Sequence, residues 1–250
     1  MSQSRRSWLT ALLSFLVLVG ATHAAEAQRA TAGPVVRDPV ADELLTTQNS
    51  ALILIDYQPV AIGSVQSMDR QLLVDHIVRV AKTARAYGVP VVLSTTGVAA
   101  YSNKPTIPEL QAALGDVRAI DRTTLNAWEA PDFVAAVRAT GRRKLVMTGL
   151  WTEVCLTFPA LDVLREGYEV YVVVDAVGGT SVEAHQAALE RIIQAGAHPI
   201  SWVELISELQ RDPARAVTFK PFMDILFDPR LPFVAAAQAV QNDTTRVPKK

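Results

Sequence analysis

The stretch "KLVMTGLWTEVCLTFPALDVLREGYEVYVVVDAV", residues 144–177, decides the fold. It opens on an apolar run of strand length, "KLVMTGL" (144–150). A helical segment follows, "CLTFPALDVLREG", ending at Gly167, and a second apolar run, "YEVYVVVDAV" (168–177), comes directly after it. Continuous apolar runs suit strands covered on both faces, and a glycine at the helix end supplies the left-handed conformation of a C-cap. Strand, helix, glycine, strand is the unit of a parallel sheet.

The same unit recurs on both sides. Further strand-length runs are "ALILID" (51–56) and "VPVVLST" (89–95), with weaker ones at "VRAID" (117–121) and "HPISWV" (198–203). The helical segments before them stop at Gly88, Gly141 and Gly196. Pro131 fits the first turn of its helix, and Thr180 followed by Glu183 reads as a capping box. The expected fold is α/β: a three-layer, doubly wound sandwich with a six-stranded, mainly parallel sheet, plus a helical C-terminal tail that packs on the core or on a neighbouring subunit.

Four segments follow from this. Residues 1–27 have a basic start, "MSQSRRS", and an apolar run, "WLTALLSFLVLVG", too short for a bilayer, which is the layout of a signal peptide. "AEA" favours cleavage after Ala27, with Ala24 as the fallback, and paired Arg5 and Arg6 fit a twin-arginine export signal as well as an ordinary one. Residues 28–49 are a proline-punctuated arm, 50–205 the sheet domain and 206–250 the C-terminal helical extension. Removing the signal leaves roughly 220 residues, enough for one core without disulfides. The expected location is periplasmic or secreted, with no membrane association after signal removal. A formal charge of −1 and the lack of a Lys/Arg block give no pointer to nucleic acid.

Cys155 is the only cysteine in the 250 residues, an unpaired thiol in a chain expected to be exported. In an open parallel sheet, ligands bind beyond the carboxyl ends of the strands, where the strand order reverses. The residues just after the strands are Asp56, the "TTG" of 95–97, Arg122 in "AIDRTTLNAW", "LWTEVC" after "LVMTG", and Asp175. No glycine-rich dinucleotide or phosphate-binding motif is present. The three histidines beyond the signal, His76, His185 and His198, have unrelated spacings, so neither a metal nor another cofactor is expected. On spacing alone Cys155 stays ambiguous between a nucleophile and a small buried hydrophobe.

The segments "ALILIDYQ", "IDRTTLNAW", "GLWTEVCLTFPALDVLREGYEVYVVVDA" and "HQAALERIIQAG", in this order, resemble the isochorismatase-like cysteine hydrolase superfamily, in its YcaC-related branch. The resemblance runs over about residues 45–205. It implies a hydrolase whose Asp, Lys and Cys attack a C–N bond of a small molecule. Asp56 matches the aspartate and Cys155 the nucleophile. The lysine is missing, and Asp121 or Arg122 stands in its segment; Arg122 is preferred, because it keeps the cation, although it cannot shuttle a proton. The resemblance further implies an oxyanion hole from the amides of Trp151 and Cys155 and a cis peptide between Leu150 and Trp151. It also implies a homo-oligomer.

Asn126, Trp128, Trp151 and Phe158 are candidates to line the substrate pocket. Asp175 reads as a structural residue holding the "VDAVGGTS" turn, and a Cys155/His185 dyad is a lesser alternative. Pro159 lacks the N–H that would bond the Cys155 carbonyl, so the helix is expected to distort there. The histidine cluster that nicotinamidases of this superfamily use for metal is absent from "TTGVAAYSNKP", and Cys155 argues against isochorismatase itself, which acts without a cysteine. The contrasting expectation is a non-catalytic binding or assembly protein, or a thiol oxidant sensor.

Overall fold

The computed structural model describes residues 39–244. The signal segment 1–27 and the first part of the arm lie outside the described residues. Six strands form one sheet: β1 (Ser50–Ile55), β2 (Val91–Thr96), β3 (Ala119–Arg122), β4 (Lys144–Gly149), β5 (Glu169–Val173) and β6 (His198–Ile200). Their order is β3-β2-β1-β4-β5-β6, and every neighbouring pair is parallel. The α-helices in chain order are α1 (Pro59–Gly63), α2 (Arg70–Tyr87), α3 (Val98–Tyr101), α4 (Pro108–Leu114), α5 (Pro131–Ala139), α6 (Thr157–Arg165), α7 (Val182–Gln194), α8 (Trp202–Gln210), α9 (Ala216–Leu226) and α10 (Pro232–Thr244).

Alternation along β1 divides the core into two layers. Leu52 and Leu54 face one side, where Leu73, Ile77 and Val80 of α2 pack with Leu205 of α8 and Phe222 of α9. Ala51, Ile53 and Ile55 face the other, against Phe133 of α5, Val163 of α6 and Ile192 of α7. Each such aliphatic side chain contributes roughly 1.5–3 kcal/mol when fully buried, which explains why the central strands tolerate no polar alternation.

The glycines expected at helix ends have φ of 68° (Gly88), 66° (Gly141), 80° (Gly167) and 110° (Gly196). Pro131 opens α5 as expected. Two local expectations are corrected. The cap of α7 is Ser181, whose side chain accepts from the Ala184 amide at 3.0 Å, because the Thr180 hydroxyl is already donated to Glu153. The run 198–203 is strand only to Ile200; Ser201 and Glu204 then form a reciprocal capping box that starts α8.

The described end of the arm is tied down. Asn49 donates to the carbonyls of Asp42 and Leu44 and accepts from the Thr46 amide, and Arg211 lies 3.3 Å from Asp42. At the other end, α9 and α10 close over α2 with Ile225, Leu226, Leu231 and Val234, so the C-terminal extension packs on the core. Asp175 is structural, and its carboxylate accepts from the Trp202 amide at 3.0 Å at the start of α8.

Candidate active site

Strands β1 to β3 step one way from the centre and β4 to β6 the other, so the carboxyl ends of β1 and β4 flank the point where the order reverses. A crevice opens there by construction. Asp56 is the first residue after β1, and its amide still donates to Ser94 at 3.0 Å, continuing the ladder to β2. Its φ is +62°, a left-handed conformation uncommon for a residue with a side chain. That turn of the backbone ends the strand.

Arg122 grips the Asp56 carboxylate with both terminal nitrogens, Nη2 to Oδ2 at 2.7 Å and Nη1 to Oδ1 at 3.2 Å. The pair is nearly sealed, with side-chain exposures of 2% and 5%. Thr96 donates to Asp56 Oδ2 at 2.8 Å and accepts from Arg122 Nη1. Thr96 and Arg122 are directly paired across β2 and β3, so strand register alone puts both on the face that meets Asp56. The neighbouring Asp121 points the other way and accepts from Thr95 Oγ1 and from the amides of Val98 and Ala99, capping α3. Of the two, Arg122 is the one whose side chain meets Asp56.

Cys155 reaches the same point from β4. The Leu150–Trp151 peptide is cis, and residues Thr152–Leu156 form a π-helical turn, with Leu156 N–H donating to Trp151 at 3.4 Å and Thr157 N–H to Thr152. Pro159, in the first turn of α6, has no N–H to offer the Cys155 carbonyl. The flanks of the π-helical turn are fastened by Thr152 N–H to Gly178, by Trp151 Nε1 to Ser64 at 2.8 Å and by Glu153, which accepts from both N–H and hydroxyl of Thr180.

Cys155 lines the same cavity as Asp56 and Trp151. Burial, then the charge of Asp56 and its hydrogen bond, push the thiol up to about 12; Arg122 and the Trp151 amide oppose this and lose. Both terminal nitrogens of the Arg122 guanidinium are already committed to Asp56. His185 does not form a dyad with Cys155. Its Nδ1 lies 2.8 Å from Thr152 Oγ1, and burial holds the imidazole below its ordinary value.

A cavity of about 170 Å³ opens onto Asp56, Thr96 and Cys155, with Trp151 and Leu150 on one part of its wall and Val60, Ala61 and Leu125 on others. Gln58 and Asn103 complete the lining. Of the expected pocket residues only Trp151 lines it. Asn126 caps the short helical turn Ala127–Glu129 and donates to Asp162 at 2.6 Å. Trp128 packs edge-on against Phe133 and Tyr168 in the second core layer, its Nε1 bound to Glu166. Phe158 is half-buried on α6 and is not part of the wall.

Gln58 escaped notice as a site residue, although it stands in "LIDYQP". Its side chain clamps the Thr96 backbone, accepting from N–H at 2.9 Å and donating to the carbonyl at 3.2 Å. Larger grooves, each about 480 Å³, lie at the β3 edge beside Val117 and Ala136 and near Lys144 and Tyr171 at the amino ends of β4 and β5. Neither holds a thiol paired with an acid. Among the described residues no group of three His, Cys, Asp or Glu side chains comes together in a way that could hold a metal ion.

Fold and site together define a doubly wound α/β protein with a thiol, a carboxylate and a guanidinium gathered at its switch point. The family model "Isochorismatase domain" matches residues 50–204. "Probable hydrolase YcaC" of Escherichia coli (strain K12) is 36% identical over 169 residues, covering 67% of this chain and 81% of that protein. The structure of YcaC from Pseudomonas aeruginosa with hexane-2,5-diol and covalent acrylamide matches at a TM-score of 0.73 and 31% identity, over 80% of this chain and 98% of that one. The Escherichia coli YcaC structure, described as an octameric hydrolase of unknown specificity, matches at 0.73 and 29% identity, over 81% and 98%. The chain belongs to the isochorismatase family, in its YcaC-related branch, and is an enzyme of that family.

Proposed function

We propose that the chain is a cysteine hydrolase that cleaves an amide-like C–N bond of a small molecule through a thioester on Cys155. The observation that carries this reading is Cys155 in the wall of one cavity with an Asp56 carboxylate that Arg122 holds in a fork. Asp56 takes the thiol proton as sulfur attacks the carbonyl carbon. The oxyanion is received by the backbone amides of Trp151 and Cys155. Collapse expels the amine, which leaves with the proton from Asp56, and the acyl group stays on sulfur. Asp56 then deprotonates a water that attacks the thioester, releasing the acid and restoring the thiol.

Arg122 has no proton to give or take at ordinary pH, so its part is to aim the carboxylate and keep its charge in place. With the thiol raised to about 12, proton transfer belongs to the attack itself and no free thiolate precedes it. A thiol oxidant sensor needs an exposed, readily ionised sulfur, and a half-buried, raised thiol fits that role poorly.

The test is ammonia release from a panel of simple amides. Wild type is expected to turn over at least one of them, and Cys155→Ala to lose about 10⁴-fold or more in rate. Equal rates in both proteins would remove the nucleophile. Export through residues 1–27 and assembly into a homo-oligomer, as in the octameric Escherichia coli relative, belong to the same proposal. Mass and light-scattering analysis of protein from the periplasm should find a chain starting at Gln28 in an assembly larger than a monomer; an uncleaved monomer would contradict both.

A further inference from the structure

The polar groups around the cavity are already spent inside the protein. Asp56 is neutralised by the fork from Arg122, whose side chain is only 2% exposed and whose Nε is sealed from solvent. The Thr96 hydroxyl serves both of them. The Gln58 amide is used by the Thr96 backbone and by the Lys104 carbonyl at 2.7 Å, and Asn103 donates to Thr96 O at 2.9 Å and accepts from the Lys104 amide. Neither Asp121, bound to the amides that start α3, nor the exposed Lys104 lines the wall. What remains facing a ligand is Val60, Ala61, Leu125, Leu150 and Trp151, with the thiol and the amides beside it.

The entrance has the same character. Val60 and Leu125 are 66% and 64% exposed, so a ligand passes aliphatic surface on its way in. The volume of about 170 Å³ is below the roughly 300–1,000 Å³ of pockets that enclose drug-sized ligands. A carboxylate or ammonium carried by a substrate would be stripped of water here and meet no partner, which is costly, whereas a neutral amide finds its donors in the backbone and its body in contact with aliphatic walls.

Resting on the hydrolase reading and narrowing it, we propose that the site selects small, uncharged amides with a short apolar body and rejects those bearing a carboxylate or an ammonium group. Two measurements on the full chain separate this from the hydrolase reading. The first is the rate at which Cys155, the only cysteine, is alkylated by iodoacetamide and by iodoacetate, each divided by the rate for glutathione at the same pH. The normalised preference should favour iodoacetamide by at least about tenfold; parity, or preference for iodoacetate, overturns the proposal. Val60→Lys, at an exposed rim position, should shrink that preference.

The second is hydrolysis of butyramide, succinamate and 4-aminobutyramide, which share a four-carbon acyl chain and differ in charge. Butyramide should be the best of the three. Turnover of succinamate or 4-aminobutyramide at an equal or higher rate overturns the selectivity while leaving the hydrolase reading intact. Turnover of none of them, with the alkylation preference present, supports the selectivity and counts against the hydrolase reading.

Discussion

At the residue scale, Asp56 raises the thiol it is meant to deprotonate. Its charge and its hydrogen bond both hold the proton on Cys155. Asp56→Asn should therefore have two opposite effects. The thiol should titrate lower, because the carboxylate is gone and the Arg122 cation is left facing the sulfur, so alkylation near pH 7 should speed up. Amide hydrolysis should fall by about 10²–10⁴-fold, the usual worth of a general base. Slower alkylation in the variant would show that Asp56 does not control the thiol. Asp56 was legible as a residue at a strand end beside the switch point, whereas Cys155 was ambiguous on spacing alone and was singled out by the family resemblance. Asn126 and Trp128 misled, because a polar or aromatic residue near a strand end looks the same whether it faces a ligand or the second core layer. Only the fold distinguishes them, through Asp162 and Glu166, which engage them from α6 and its end.

At the scale of elements, what the sequence revealed best was local. Glycines ending α2 and α7 and the apolar runs of β1, β4 and β5 need no distant partner to be recognised. The cap of α7 failed for a tertiary reason, since Glu153 engages the Thr180 hydroxyl from the nucleophile's turn. The docking of α9 and α10 was legible only as an apolar helical tail; its anchor is the Arg79 side chain of α2, which donates to the Ile225 carbonyl at 2.7 Å and to Asp228 at 3.1 Å. Arg79→Met should lower stability by about 1–3 kcal/mol in denaturant unfolding, the range for leaving a buried acceptor without its donor. Arg230 and then Arg79 hold the Asp228 carboxyl well below the usual range. That depressed value means its contribution is complete above the ordinary carboxylate value of about 4 and is lost as pH falls through the lower folded-state value. An unchanged unfolding midpoint in Arg79→Met would leave the anchor without a stabilising role.

At the scale of the whole molecule, the sheet order is what makes a site from residues far apart in sequence. Asp56, Thr96, Arg122 and Cys155 come from the ends of β1, β2, β3 and the segment after β4, and the reversal between β1 and β4 lets one carboxylate bind a guanidinium and share a cavity with a thiol. Fold class followed from repeated local units and was readable in advance. The exhaustion of the site's polar groups was not, because Gln58 and Asn103 reveal their use only once the chain end of β2 lies between them. A covalent acyl group on Cys155 should be seen by intact-mass analysis of the full chain quenched in acid during turnover of a neutral amide. The expected result is an adduct equal to the amide less ammonia, mapping to Cys155 and absent from Cys155→Ala. Steady turnover with no adduct, undiminished in Cys155→Ala, would contradict it.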